Sequence, residues 1–227
     1  MRLLDHAALH VADRDALAQE LVDRLDVHVI ERTDRFTLLG AHADHGKLTL
    51  LDPEDQRRPR ANRIVSLVLA EPGIASSSPV ELPGGLVCTF VDTSALGLEW
   101  ADIPRHALVG VTLRSNDPDG AARELERHAM RVRSRAADVA LLSVGASDAD
   151  GRITLTREAW TDQDAPSMLD HVGIRVDDAE GWRARAELDG HEVVKWVEAP
   201  HSKAVFLAGP DSIVLEFVEQ TARFEGE

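Results

Sequence analysis

Met168–Asp178 reads M-L-D-H-V-G-I-R-V-D-D, and Leu3–Asp13 reads L-L-D-H-A-A-L-H-V-A-D. Each is a short alternating run that leads into a helix-like pattern. Successive side chains of a strand point to opposite faces. In the later copy Val172, Ile174 and Val176 share one face, and His171, Gly173 and Arg175 share the other. In the earlier copy Ala7, Leu9 and Val11 oppose His6, Ala8 and His10. The apolar faces predict strands packed under a helix, with His6 and His171 turned the other way, into whatever the sheet curls around. Ser212–Glu219 (S-I-V-L-E-F-V-E) repeats the pattern with a carboxylate: Ile213, Leu215 and Phe217 on one face, Glu216 on the other. Two histidines and one carboxylate on inward faces of separate strands are the donor types of a facial metal site.

Outward from these runs, the chain resolves into four related units. Residues 1–52 read as β-α-β-β-β, with Asp13 or Asp15 capping a helix whose Leu17, Leu21 and Leu25 recur at helical spacing. Residues 63–92 carry strands at Arg63–Leu69 and Leu86–Val91, but the stretch between them has no helical period, as if this unit had lost its helix. Residues 106–158 are complete, with Asp117-Pro118 opening the helix. Residues 168–219 are the last unit, its helix running from about Asp178 to Asp189 and stopping at Gly190. Pro53–Pro59 and Ala159–Ser167 read as linkers, and Thr93–Arg105 as a connector whose Leu96, Leu98 and Trp100 alternate. V-G-V-T-L-R superimposes on V-G-I-R-V-D at an offset of 63 (Val109 to Val172), and L-V-C-T-F-V-D superimposes on I-V-L-E-F-V-E. Repetition on this scale predicts two pairs of units, each closing a curved sheet around a cavity.

Bulk properties bound the function. A chain of 227 residues can bury a sizeable core. Its net charge of −15 argues against nucleic acid and anionic membrane surfaces, whose charge would repel it. No run has the apolar length of a membrane span and no secretory signal opens the chain, so a cytoplasmic location is expected. Cys88, the single cysteine, excludes an internal disulfide and reads as a buried apolar residue. His42 and His45, in A-H-A-D-H-G, read as solvated loop histidines.

The repeats, the two L-D-H openings and the ending A-G-P-D-S-I-V-L-E-F-V-E resemble the vicinal oxygen chelate superfamily, the group of glyoxalase I, extradiol dioxygenases and bleomycin resistance proteins. The resemblance spans nearly the whole chain. It implies an α+β protein of four βαβββ modules, the second lacking its helix, paired into two cupped mixed β-sheets with helices outside and a divalent metal within. The family's histidine position maps onto His6, Ile64, Leu108 and His171, and its carboxylate position onto Leu51, Thr89, Thr156 and Glu216. Only the first and last units then bring ligands, so pairing units 1 with 4 and 2 with 3 collects His6, His171 and Glu216 at one ion. Rings within about 8 Å of each other are the geometric requirement for that.

The implied function is a metal-dependent enzyme acting on a small oxygen-chelating substrate, as a dioxygenase or a glyoxalase-like lyase or isomerase. Fe(II) is the first candidate metal, with Mn, Co, Ni or Zn as others, and a monomer or homodimer is expected. The alternative is a metal-free protein that sequesters a small molecule, as bleomycin resistance proteins do. Arg175, four residues beyond His171, is a candidate substrate anchor, and His10, equally placed after His6, a candidate acid–base catalyst. His201 and Phe206 are candidate cavity-lining residues. Phe206 matches the position where extradiol enzymes carry a tyrosine, and this chain has no tyrosine. Trp182 reads as core packing.

Overall fold

A computed structural model describes residues 2–53, 64–74, 78–94, 102–158 and 169–221. Both expected linkers lie wholly or almost wholly outside the described residues, as do Leu96, Leu98 and Trp100.

The first unit comprises β1 (Arg2–His10), α1 (Arg14–Arg24), β2 (His28–Arg32), β3 (Phe36–Gly40) and β4 (Lys47–Leu51). The second has β5 (Ile64–Ala70), a short β6 (Val80–Leu82) and β7 (Leu86–Val91), with no α-helix among its described residues. The third is β8 (Leu108–Ser115), α2 (Pro118–Arg127), β9 (Arg131–Arg135), β10 (Val139–Ser143) and β11 (Arg152–Arg157). The fourth is β12 (Leu169–Val176), α3 (Ala179–Leu188), β13 (Val193–Ala199), β14 (Ser202–Ala208) and β15 (Val214–Gln220). Aspartates start two helices by accepting an orphan N–H, Asp13 from Ala16 and Asp178 from Gly181.

The strands form two mixed sheets, eight strands in the order β13-β14-β15-β12-β1-β4-β3-β2 and seven in the order β6-β7-β5-β8-β11-β10-β9. The first and fourth units therefore share one sheet, joined by the antiparallel β1–β12 pair, and the second and third share the other. Helices bury the apolar strand faces: Leu17, Ala18 and Leu21 of α1 are buried, and Trp182 of α3 stacks on Phe217 at 4.5 Å. Trp182 is thus packing, as its spacing indicated. The sheets meet through Gly46, whose N–H donates to Leu4 O and whose carbonyl accepts from Leu108 N–H. Gly46 has φ +66, and a Cβ there would lie 2.8 Å from Leu108 O, so glycine is required. This anchor draws the 41–46 loop inward. His42 and His45 are accordingly half-buried in edge contact, 4.6 Å between ring centroids, rather than solvated.

The registers also correct the alignment of the repeats. In each unit the first strand carries a one-residue bulge, at Asp5, Val65, Val109 and Asp170. Counting from the bulges, the third unit matches the fourth at an offset of 61, the same offset that separates the caps Asp117 and Asp178. The residues after the bulges are His6, Ser66, Gly110 and His171, not Ile64 and Leu108 in the middle units. Two residues further on, Ala8, Val68, Thr112 and Gly173 pair with Thr49, Thr89, Thr154 and Glu216. Thr49 and Thr154 thus replace Leu51 and Thr156 at the carboxylate position. Shifts of two residues keep a side chain on its face. The middle units still offer no ligand, only Ser66 and Thr89 with hydroxyls 3.5 Å apart.

Candidate metal centre

His6 on β1, His171 on β12 and Glu216 on β15 come together on the inner face of the eight-stranded sheet, all three buried. The ring centroids of His6 and His171 are 5.1 Å apart. The His6 and His171 Nε2 atoms are separated by 3.0 Å, and Glu216 Oε2 lies 3.0 Å from the first and 3.1 Å from the second. Three donors thus mark a nearly equilateral triangle. An ion with bonds of about 2.1 Å spaces adjacent octahedral ligands by about 3.0 Å and tetrahedral ones by about 3.4 Å, so the triangle has the size of an octahedral face. Glu216 Oε2 is buried without a hydrogen-bond partner despite both neighbours. Both imidazoles stand at ion-pair distance from it. The donor set and its orphaned oxygen fit a divalent cation.

The bulges explain the aim of the imidazoles. Neighbouring residues of a regular strand point to opposite faces, but a bulge breaks the alternation. Asp5 Oδ2 therefore reaches Nδ1 of the adjacent His6 at 2.8 Å, and Asp170 Oδ2 reaches Nδ1 of His171 at 2.6 Å. Each carboxylate engages Nδ1 of its ring and so leaves Nε2 turned inward, as the atom a metal would take. In the second and third units valine stands at the bulge, and this arrangement is absent. Gly173 pairs with His6 across the strands, and a Cβ on it would lie 2.4 Å from two ring atoms of His6. Its missing side chain is the space the ring occupies.

Neither aspartate nor Lys47 was singled out from the sequence. The signal for the aspartates was the repeated D-H dipeptide, and for Lys47 a lysine opening an otherwise apolar strand. Lys47 is buried, with Nζ 3.2 Å from Asp5 Oδ2 and donating to Ala43 O. Burial pushes its ammonium pKa down, against the pull of Asp5. Burial would raise the Asp5 carboxyl, yet it is held below the usual range by the His6 hydrogen bond and the Lys47 charge. Burial also opposes ionisation of Asp170, which bonds to His10 and His171 hold well below the carboxylate range. Glu216 lies well below that range too, because the charges of His171 and His6 outweigh its burial. For His6 burial is the largest influence and lowers the pKa, but Glu216 and Asp5 together bring it up to about 9. His171 is raised by the same balance of Glu216 and Asp170 against burial.

The remaining candidates fall differently. The Phe206 ring meets His171 edge-on at 5.1 Å and pairs in register with Glu216, which places it at the site. His201 is exposed in the β13–β14 turn, five residues along the chain from Phe206, roughly 16 Å for extended backbone. Arg175 Nε lies 3.7 Å from Asp5 Oδ1, and His10 lies between Asp52 O (2.8 Å from Nδ1) and Asp170 Oδ1 (3.1 Å from Nε2). Both ring nitrogens of His10, the candidate acid–base catalyst, thus face acceptors.

No family model matches the sequence, and no curated protein matches it. Solved structures do. A candidate dioxygenase from Bacillus subtilis subsp. subtilis strain 168 superimposes with a TM-score of 0.74 at 16% identity, over 98% of this chain and 87% of that one. Glyoxalase I from Zea mays superimposes with a TM-score of 0.70 at 14% identity, over 96% of this chain and 92% of that one. The chain thus shares with these two structures its fold, an α+β arrangement of two mixed sheets with helices outside.

Proposed function

We propose that this chain is a divalent-metal-dependent enzyme acting on a small oxygen-chelating substrate, in the dioxygenase or glyoxalase-like lyase and isomerase classes. The observation that carries the reading is the triangle of His6 Nε2, His171 Nε2 and Glu216 Oε2 with edges of 3.0–3.1 Å. His6, His171 and Glu216 hold the ion. When bound there, a divalent metal supplies Lewis-acid stabilisation of enolate or catecholate charge, and Fe(II) would add oxygen chemistry. Three protein donors would leave the ion open to a substrate that chelates through two vicinal oxygens. Asp5 and Asp170 keep both imidazoles in the ligating tautomer, and Glu216 brings the charge that makes the set selective for a cation. Phe206, against His171, forms an apolar wall that keeps water off that side. A phenylalanine there offers no hydroxyl to move a proton, which favours lyase or isomerase chemistry over ring cleavage.

The test is metal analysis of protein purified without chelators, followed by uptake of Fe(II), Mn, Co, Ni and Zn. About one equivalent per chain, lost in His171→Ala with the far-ultraviolet circular dichroism unchanged, supports the reading. Uptake below about a tenth of an equivalent for every ion rejects it and leaves small-molecule sequestration as the function.

A further inference from the structure

β1 and β12 run antiparallel at the centre of the eight-stranded sheet, and their residues correspond in pairs: Asp5 with Asp170, His6 with His171, and His10 with Arg175. His10 and Arg175 each stand four residues beyond their own histidine, and each reaches across to the other strand's bulge. His10 Nε2 is 3.1 Å from Asp170 Oδ1, and Arg175 Nε is 3.7 Å from Asp5 Oδ1. The register explains the crossing. Leu3 is paired with Arg175 and Leu9 with Leu169, so each bulge aspartate lies diagonal to the opposing strand's cation, within reach of a long side chain. One oxygen of each aspartate meets that side chain, while the other accepts from the ligand imidazole. His10 matches arginine in kind: its neighbours Asp52 O and Asp170 are both acceptors, so both bonds form only with both ring nitrogens protonated.

We propose that His10 and Arg175 are positioning residues that work crosswise: His10 of β1 sets the aim of His171 through Asp170, and Arg175 of β12 sets the aim of His6 through Asp5. This rests on the metal-centre reading above and assigns both residues to the protein's own ligands instead of to substrate. The β1–β12 pairing then does more than bring two histidines together, since each strand supplies a side chain that holds the other strand's bulge aspartate. Asp5 is also held by Lys47 and by Gln220 Nε2 at 3.4 Å.

The test is a double-mutant cycle on Co(II) affinity joined to histidine-ring nitrogen spectra of the metal-free protein. Asp170→Asn should weaken Co(II) binding about 10- to 100-fold. Adding His10→Gln to it should cost nothing further, while His10→Gln with Asp5→Asn should multiply the single losses. In the metal-free spectra His10→Gln should move the His171 Nδ1 resonance and leave His6 in place; Arg175→Met should do the reverse, and Arg175→Lys should restore the His6 position. Multiplicative losses for His10→Gln with Asp170→Asn, or each variant moving its own strand's histidine, would overturn the proposal. Should the wild-type protein bind no metal, the enzyme reading fails by itself, and the ring spectra still decide the crosswise aim. Should His10→Gln not fold, Arg175→Met and Arg175→Lys decide it from the other arm.

Discussion

In the metal-free protein the charge that balances Glu216 comes from protons. His6 is brought up to about 9 beside Glu216, so at pH 7 a proton occupies the His6 nitrogen that a metal must take, and His171 is raised beside the same carboxylate. Metal binds the unprotonated imidazole, so uptake must expel that proton. For His6 the gap between pH 7 and about 9 is about 2 units, roughly a 100-fold loss of apparent affinity. Apparent affinity should therefore climb about tenfold per pH unit from His6 alone, more steeply where His171 is also protonated, and level off above about pH 9. Glu216 adds nothing to this slope, being ionised throughout. Isothermal calorimetry of Mn or Co uptake at pH 7, in two buffers of different ionisation enthalpy, counts the protons; one to two per ion are expected. The sign for stability follows from the same shift. A raised histidine contributes stability that is complete below its unfolded value, about 6.5, and lost as pH rises through about 9. The metal-free melting temperature should thus fall between pH 7 and 9.5 while that of the loaded protein holds. Release of fewer than about half a proton per ion, or affinity flat from pH 7 to 9, would refute the reasoning.

Gly173→Val puts a side chain where the His6 ring lies and should lower metal affinity at least about tenfold with the sheet intact, as read by competition titration and circular dichroism. Lys47→Met removes a buried partner of Asp5 and should cost on the order of 3–5 kcal/mol in urea denaturation; a cost under about 1 kcal/mol would mean that Arg175 and His6 suffice for that carboxylate. Cys88 is buried and its thiol is pushed up to about 12, so a disulfide reagent should leave it unmodified in the native protein and label it in urea.

Much of the architecture was legible because strands and helices write their periods locally. The alternation of Val172, Ile174 and Val176 with His171, Gly173 and Arg175 revealed both a strand and its inward face, and the capping aspartates marked two helix starts. The repeat offset was misread as 63 because the identical V-G pairs drew the alignment two residues out of register. The bulges, which leave no period, reveal 61, the offset that the caps Asp117 and Asp178 share. The aspartates were missed for a related reason: strict alternation sends Asp5 away from His6, and the bulge turns it back. His10 and Arg175 looked available for substrate because nothing along the chain marks a partner on the opposite strand.

Alternation and repetition, both properties of neighbouring residues, were enough to declare four related units and to nominate His6, His171 and Glu216. The convergence itself belongs to tertiary structure, since it depends on β1 lying antiparallel to β12, 165 residues apart at the two histidines. Contact across that distance is set by which apolar faces bury together and where bulges shift the register, and neither is written in any local stretch of chain.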